Sequence, residues 1–352
     1  MLNATAQLGV LTAADDTFRD VLERQLAARE PLAEIWSHYG LVDPTFYGSG
    51  HHWMSYPQRF ADPFVVLGYV AARWPEAHLN SNFIQLPLFS ALDVAEKVSS
   101  IAGLTDKGLT LVVGLGWRPQ EFAAAGTDVK VRVSRFEESL QVCRALWAGE
   151  ELDHHGRHWT VQGRLGTPLR DPSDVTVVVG AQSESAARRA ARLADGLHVS
   201  WVMNHEGNYR INAAYRDELA EQNRPDPNYW AMAKFISVDE DEMRAHARLD
   251  RMASMFSWYA SAPTWTSSDV KTQIPPEDEA VERTITGTPA RVVEQLVKHA
   301  NEFPYTDVIL TWLAPSSDPA ENREHFEMLC RDVVTPLATE LGIEPGEAEL
   351  RV

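Results

Sequence analysis

The stretch Val175–Trp201, VTVVVGAQSESAARRAARLADGLHVSW, decides how the rest of the chain is read. Its opening run VTVVV is apolar on both faces, as a strand of a parallel sheet covered by helices must be. Ser183 can then cap a helix over Glu184–Ala194, and Leu197–Trp201 reads as the next strand. The turn between them is Gly180, Ala181, Gln182 and Ser183. Unpaired N–H groups at the helix start, together with the Ser183 hydroxyl, suit a phosphate. The same hydroxyl would serve equally well as an ordinary N-cap.

The alternation continues outward in both directions. Strand candidates upstream are Gln7–Thr12, Thr45–Ser49, Leu79–Leu86 and Leu109–Gly114, and those downstream are Phe235–Val238 and Asp307–Trp312. Asp62-Pro63 and Thr288-Pro289 are helix starts with proline at the first position, where its missing N–H costs nothing. Eight strand-then-helix units predict an α/β fold, a closed (β/α)8 TIM barrel, as one domain over residues 1–352. A doubly wound sheet is the competing topology. Two stretches break the rhythm: the polar segment Glu150–Ser173, and a long insertion before the last strand, Ser254–Thr286. The insertion carries Phe256, Trp258, Tyr259 and Trp265, which suits a mobile lid with an apolar inner face or a segment packed permanently on the barrel.

Lys and Arg total 32 against 50 Asp and Glu, a net charge of −18, which makes nucleic acid and anionic membrane poor partners. Cys143 and Cys330 stand alone in helix-like stretches and form no metal-ligand spacing, so no metal site is expected. The start MLNATAQLGVLTAADD has no basic region followed by an apolar run, and no apolar stretch reaches the ~18 residues of a membrane span. A cytoplasmic protein is expected.

In a barrel the active site lies at the carboxyl ends of the strands. After the second strand stand His51 and His52, which could supply an acid/base near neutral pH or be ordinary loop residues. The third strand holds Asn82, Phe83 and Gln85, whose polar members could equally mark alternation between two layers. The fourth ends in Gly114-Leu115-Gly116-Trp117, where glycine permits close approach to a flat ligand, although a bare Gly-x-Gly is a weak signal.

Read together, these segments resemble the bacterial luciferase-like superfamily of flavin-dependent oxidoreductases. The resemblance rests on three stretches: LPLFSALDVAEKVSSIAGLTDKGLTLVVGLGWRPQEFAAAGTD, RFEESLQVCRALWAGEELDHHGRHWTVQG and VVVGAQSESAARRAARLADGLHVSW. Within them the steps Gly116–Phe122, Leu146–Glu150 and Ala191–Gly196 are jointly specific. The resemblance implies a barrel holding FMN, or the analogue 8-hydroxy-5-deazaflavin, at the strand ends. It places the cofactor phosphate at Gly180–Ser183 and a bulge with a non-proline cis peptide, propping the flavin ring, at Asn82-Phe83. It makes His51 the acid/base, and it puts a homodimer interface on the helices Asp62–Arg73 and Ser90–Leu104.

Two departures bear on function. Many relatives have an acid immediately before the paired histidines, where this chain has Gly50. The deazaflavin-dependent sugar-phosphate dehydrogenases carry an acid where Trp117 stands, so an apolar or aromatic substrate is expected against Trp117, Trp201 and Trp258. No Gly-x-Gly-x-x-Gly follows a strand, which implies a separate flavin reductase. The expected activity is a two-component monooxygenase using reduced FMN and O2. The alternatives are a deazaflavin-dependent reductase or dehydrogenase and, less favoured, a flavin-binding subunit without catalysis.

Overall fold

In the computed structural model the described residues are 45–48, 62–75, 78–200, 203–249, 283–303, 305–312 and 319–342. The strand expected at Gln7–Thr12 lies outside them, as do His51, Trp201, Trp258 and most of the Ser254–Thr286 insertion. The chain divides into two compact units. The described part of one spans 45–180 and 189–196, and that of the other spans 181–188 and 197–342.

The first unit is built on β1 (Thr45–Gly48), α1 (Pro63–Arg73), β2 (His78–Gln85), α2 (Ala91–Ala102) and β3 (Leu109–Gly114). It continues with α3 (Pro119–Ala124), α4 (Arg132–Trp147), the pair β4 (Leu152–His155) and β5 (Thr160–Gly163), and β6 (Val175–Ala181). β1, β2, β3 and β6 pair side by side, all parallel. Parallel neighbours need a crossover between them, and the helices supply it while covering the apolar strand faces. Leu111, Val112, Val177 and Val178 are at most 1% exposed, and Leu67, Val98 and Phe136 of the helices are fully buried as well. Asp62 caps α1 as its sequence suggests, accepting from Phe64 N–H at 2.9 Å and Val65 N–H at 3.1 Å.

The Glu150–Ser173 stretch is more ordered than its polarity suggests. β4 and β5 form an antiparallel hairpin. Its turn is fixed by Glu138 of α4, whose carboxylate accepts from the backbone N–H of His158 and of Trp159.

The second unit contains α5 (Glu184–Leu193, whose last turns belong to the first unit), β7 (Gly196–Val199), α6 (His205–Glu221), β8 (Tyr229–Val238) and α7 (Glu242–Ala247). After the insertion come β9 (Ile285–Gly287), α8 (Pro289–Glu302), β10 (Asp307–Trp312), α9 (Pro319–Leu329) and α10 (Thr335–Glu340). β8 pairs in parallel with both β9 and β10. β8 begins six residues before the expected Phe235, because the run Tyr229–Lys234 alternates large residues with alanine and is buried throughout. The last residues assigned to the insertion, Ile285 and Thr286, are instead strand β9. α6 is anchored by a buried chain of hydrogen bonds. Trp230 Nε1 donates to Asn212 Oδ1 at 2.7 Å, Asn212 Nδ2 donates to the Tyr305 hydroxyl, and that hydroxyl donates to Asn208 Oδ1. Parallel strands alternating with helices give the α/β class expected, that of a (β/α)8 fold.

Candidate active site

The carboxyl ends of β2, β3 and β6 meet in the first unit, and the geometry there starts from an irregularity in β2. Pairing with β3 runs Ser81 to Leu111 and then resumes at Ile84 with Val113. Asn82 and Phe83 together oppose Val112, which is the two-against-one pattern of a β-bulge. A bulge strands backbone groups, and here the Ser81 hydroxyl takes them up. It accepts from Val112 N–H at 2.9 Å and donates to Val112 C=O at 3.2 Å. Ser81 is fully buried, so the bond also removes the cost of an unpaired hydroxyl.

The bulge sends the Phe83 ring across the neighbouring strand ends. A Cβ on Gly180 would lie 2.4 Å from Phe83 Cε1, and one on Gly114 would touch the same ring at 4.0 Å. Gly180 is therefore required by the ring beside it. Gly116 is required for two reasons: its φ is +71°, and a Cβ there would stand 2.8 Å from Gln85 Oε1 and 3.2 Å from the Phe122 ring.

Behind this surface lies a buried polar cluster. Glu121, at the start of α3, is 1% exposed, and its carboxylate is 3.9 Å from the Arg118 guanidinium. Burial raises the Glu121 pKa, and the Arg118 charge and Gln85 amide beside it only partly offset that rise. The Arg118 guanidinium also lies over the half-buried Trp117 ring, 4.6 Å from its centroid. Arg118 and Glu121 were not singled out in the sequence. The signal available was their place inside the Gly116–Phe122 step, with Glu121 one turn beyond a glycine of positive φ.

On the chain's continuation into the second unit, Gln182 Nε2 donates to Ser200 Oγ at 3.1 Å, and Ser200 N–H donates to Ala181 C=O. The Ser183 hydroxyl accepts from Ala186 N–H at 3.3 Å and shares a hydrogen bond with Ser185 Oγ at 3.1 Å. Ser183 thus caps α5, and its hydroxyl remains half-exposed at the helix start. The structure brings Phe83, Gly180, Gly114 and Gly116 into one set of strand ends and puts Trp117 immediately after them. Only the backbone of Asn82 is described, as part of the bulge. Among the described residues no group of His, Cys, Asp and Glu is arranged to hold a metal ion.

Parallel strands with helices on their faces, and glycine-lined strand ends, are features of a (β/α)8 protein. The profile of the luciferase-like monooxygenase family matches residues 45–306, and the chain belongs to that family. Solved structures agree on the fold. Monooxygenase RslO1 from Streptomyces bottropensis superposes with a TM-score of 0.75 at 20% identity, covering 95% of this chain and 99% of that one. An F420-dependent secondary alcohol dehydrogenase in complex with an F420-acetone adduct gives 0.72 at 15% identity, covering 95% and 99%. An uncharacterized protein of Mycobacterium tuberculosis is 28% identical over 137 residues, 39% of this chain and 47% of its own length. An F420-dependent glucose-6-phosphate dehydrogenase of Beutenbergia cavernae is 33% identical over 107 residues, 29% of this chain and 31% of its own. The chain thus spans half or less of the length of the curated relatives it matches. At the level of the superfamily, the chain groups with luciferase-like proteins, and its matches include a monooxygenase and F420-dependent dehydrogenases.

Proposed function

We propose that this protein is a two-component monooxygenase that uses reduced FMN and O2 on an apolar or aromatic small molecule. The observation that carries the reading is the Phe83 ring seated against Gly180 at the bulge of β2. A flavin needs a rigid prop beside its ring and an anion site for its phosphate. The bulge holds the Phe83 ring against Gly180 as such a prop, and the Ser183-capped start of α5 offers N–H and O–H donors. In this reading Asn82, Phe83 and Gly116 face the ring system, and Gly180, Ala181, Gln182 and Ser183 hold the phosphate.

Reduced FMN, when bound, supplies the electrons with which oxygen is activated; the chain positions the ring, excludes water and moves one proton. His51 is the residue proposed to hold that proton, and Trp117, Trp201 and Trp258 are proposed to face the substrate. A separate reductase would deliver the reduced flavin. A homodimer through α1 and α2 is supported by Val65 and Leu92, apolar residues on those helices that are 55% and 43% exposed. The net charge of −18 argues against nucleic acid as a partner, and among the described residues no helix is long and apolar enough to cross a membrane. We further propose one barrel domain and a cytoplasmic location.

The second reading, hydride transfer by a deazaflavin without oxygen, draws support from the relatives whose names specify F420. One experiment separates the two. Purified protein is titrated anaerobically with reduced FMN and with reduced deazaflavin, and oxygen is then admitted. The monooxygenase reading expects reduced FMN to bind more tightly and its reoxidation rate to differ from that of free flavin. Tighter binding of the deazaflavin would favour hydride transfer. Tight FMN binding with reoxidation identical to free flavin would favour a non-catalytic subunit.

A further inference from the structure

The second unit contains a cavity of about 600 Å³ that takes no part in the reading above. Its walls come from β8, the residues leading into β9, the carboxyl half of α8 and the start of α6. Lys234 of β8, Arg283 and Lys298 of α8 all line it. The chain as a whole has 50 acidic and 32 basic residues, so three basic side chains around one cavity run against its general balance. Among the described residues that line it, Glu302 is the single carboxylate, and it lies 3.6 Å from His205 Nδ1.

Lys234 is the informative member. It is 7% exposed, and among the described residues its ammonium has neither a hydrogen-bond acceptor nor an ion-pair partner. Burying an unpaired charge is costly, and proteins keep such a group where something supplies the counter-charge. Lys298 likewise makes no ion pair among the described residues. Facing Lys234 are Arg283 from the residues before β9, Lys298, His299 and Glu302 from α8, and His205 from α6. Burial first and the Arg283 charge second lower the Lys234 pKa to about 8, so the ammonium form persists at neutral pH. Burial and the Lys234 charge push His299 down to about 3, which keeps it neutral there, with Nε2 2.8 Å from Met232 Sδ.

We propose that this cavity is a binding site for a small metabolite carrying a phosphate or comparable dianionic oxyanion, with Lys234 as its buried counter-charge. The volume exceeds what a bare phosphate needs and falls within the range of small-molecule pockets. A dianion beside Lys234, with Lys298 and Arg283 on the same walls, makes charge-assisted hydrogen bonds and offsets the repulsion between Lys234 and Arg283. The site is independent of the flavin reading, and its test is arranged to keep the two apart.

Inorganic phosphate is the probe, titrated into the full chain by calorimetry at constant ionic strength with chloride as the balancing salt. The titration uses a Ser183→Asp background, so that phosphate binding at the start of α5 does not contribute. Saturable binding is expected, weakened at least about tenfold when Lys234→Met is added, since methionine keeps the length of the side chain and removes its charge. Equal affinity with and without Lys234, or no saturable binding beyond chloride, overturns the proposal. Should Lys234→Met fold poorly, the wild-type chain still decides. Phosphate is expected to raise the pH at which the Lys234 ammonium titrates by NMR, because it supplies the counter-charge, and an unmoved Lys234 titration overturns the proposal as well.

Discussion

Gly180 and Phe83 form a pair whose fit is read directly from distances. A methyl group on Gly180 would sit 2.4 Å from the Phe83 ring, far inside contact distance. Gly180→Ala is therefore expected to lose about 1–3 kcal/mol of stability by overpacking and to displace the ring. Phe83→Leu in the same chain should restore much of that stability while flavin affinity stays low, a coupling that chemical denaturation and a flavin titration together can detect. Ser183 acts at the other end of the proposed cofactor. Ser183→Asp brings a carboxylate to a dianionic phosphate and is expected to weaken FMN binding by roughly 2 kcal/mol. Unchanged affinity would remove Gly180–Ser183 from the site. Glu121 gives a prediction in pH. Burial holds its pKa above the ordinary 4.5, so the folded state keeps the proton better than the unfolded state does. That contribution is complete below about 4.5 and is lost as pH rises through the raised value. Stability of the wild type should thus fall relative to Glu121→Gln over that window, and parallel pH profiles would show Glu121 to be ionised and compensated.

At the scale of elements, what the residues disclosed depended on whether the signal was local. Val175–Val179 was legible as a strand because its β-branched residues are buried on both faces, and the helix after it because Ser183 caps it; the strand runs on to Ala181. The bulge in β2 was not legible from its residues. HLNSNFIQ contains neither Gly nor Pro, and the irregularity exists only in the pairing with β3, so the resemblance and not the pattern located it. The hairpin β4–β5 was missed because a carboxylate on α4 organises it, a contact between distant residues. Lys234 was passed over for a simpler reason, since the strand was expected to begin at Phe235 and the lysine lay just outside it, whereas β8 starts at Tyr229. Its stability effect can be measured. With a folded pKa near 8 against the ordinary 10.5, the unfolded chain binds more protons between these values, so stability rises with pH there. Wild type should gain about 3 kcal/mol on Lys234→Met across that window, in thermal or chemical melts without phosphate. Parallel curves would show that the ammonium is not desolvated.

For the whole molecule, the (β/α)8 class was readable over the described strands because the alternation of apolar runs and capped helices survives in the order of residue types. The chemistry was readable only in part. Position at strand ends marks where a barrel works, but the same fold carries oxygenation and hydride transfer alike. The net charge of −18 sharpens the question of the cofactor, because a chain so acidic gains nothing from bulk electrostatics when it binds an anionic flavin. Affinity for the phosphate must come from local donors, and those are what the start of α5 offers. The most direct measurement is a comparison of reduced FMN with reduced riboflavin, the same ring without the phosphate, by anaerobic titration of the wild-type protein. The account requires FMN to bind at least about tenfold more tightly, the worth of one charge-assisted hydrogen bond. Equal affinity for the two would contradict a phosphate site at Gly180–Ser183, and absence of binding by either would contradict the flavin reading itself.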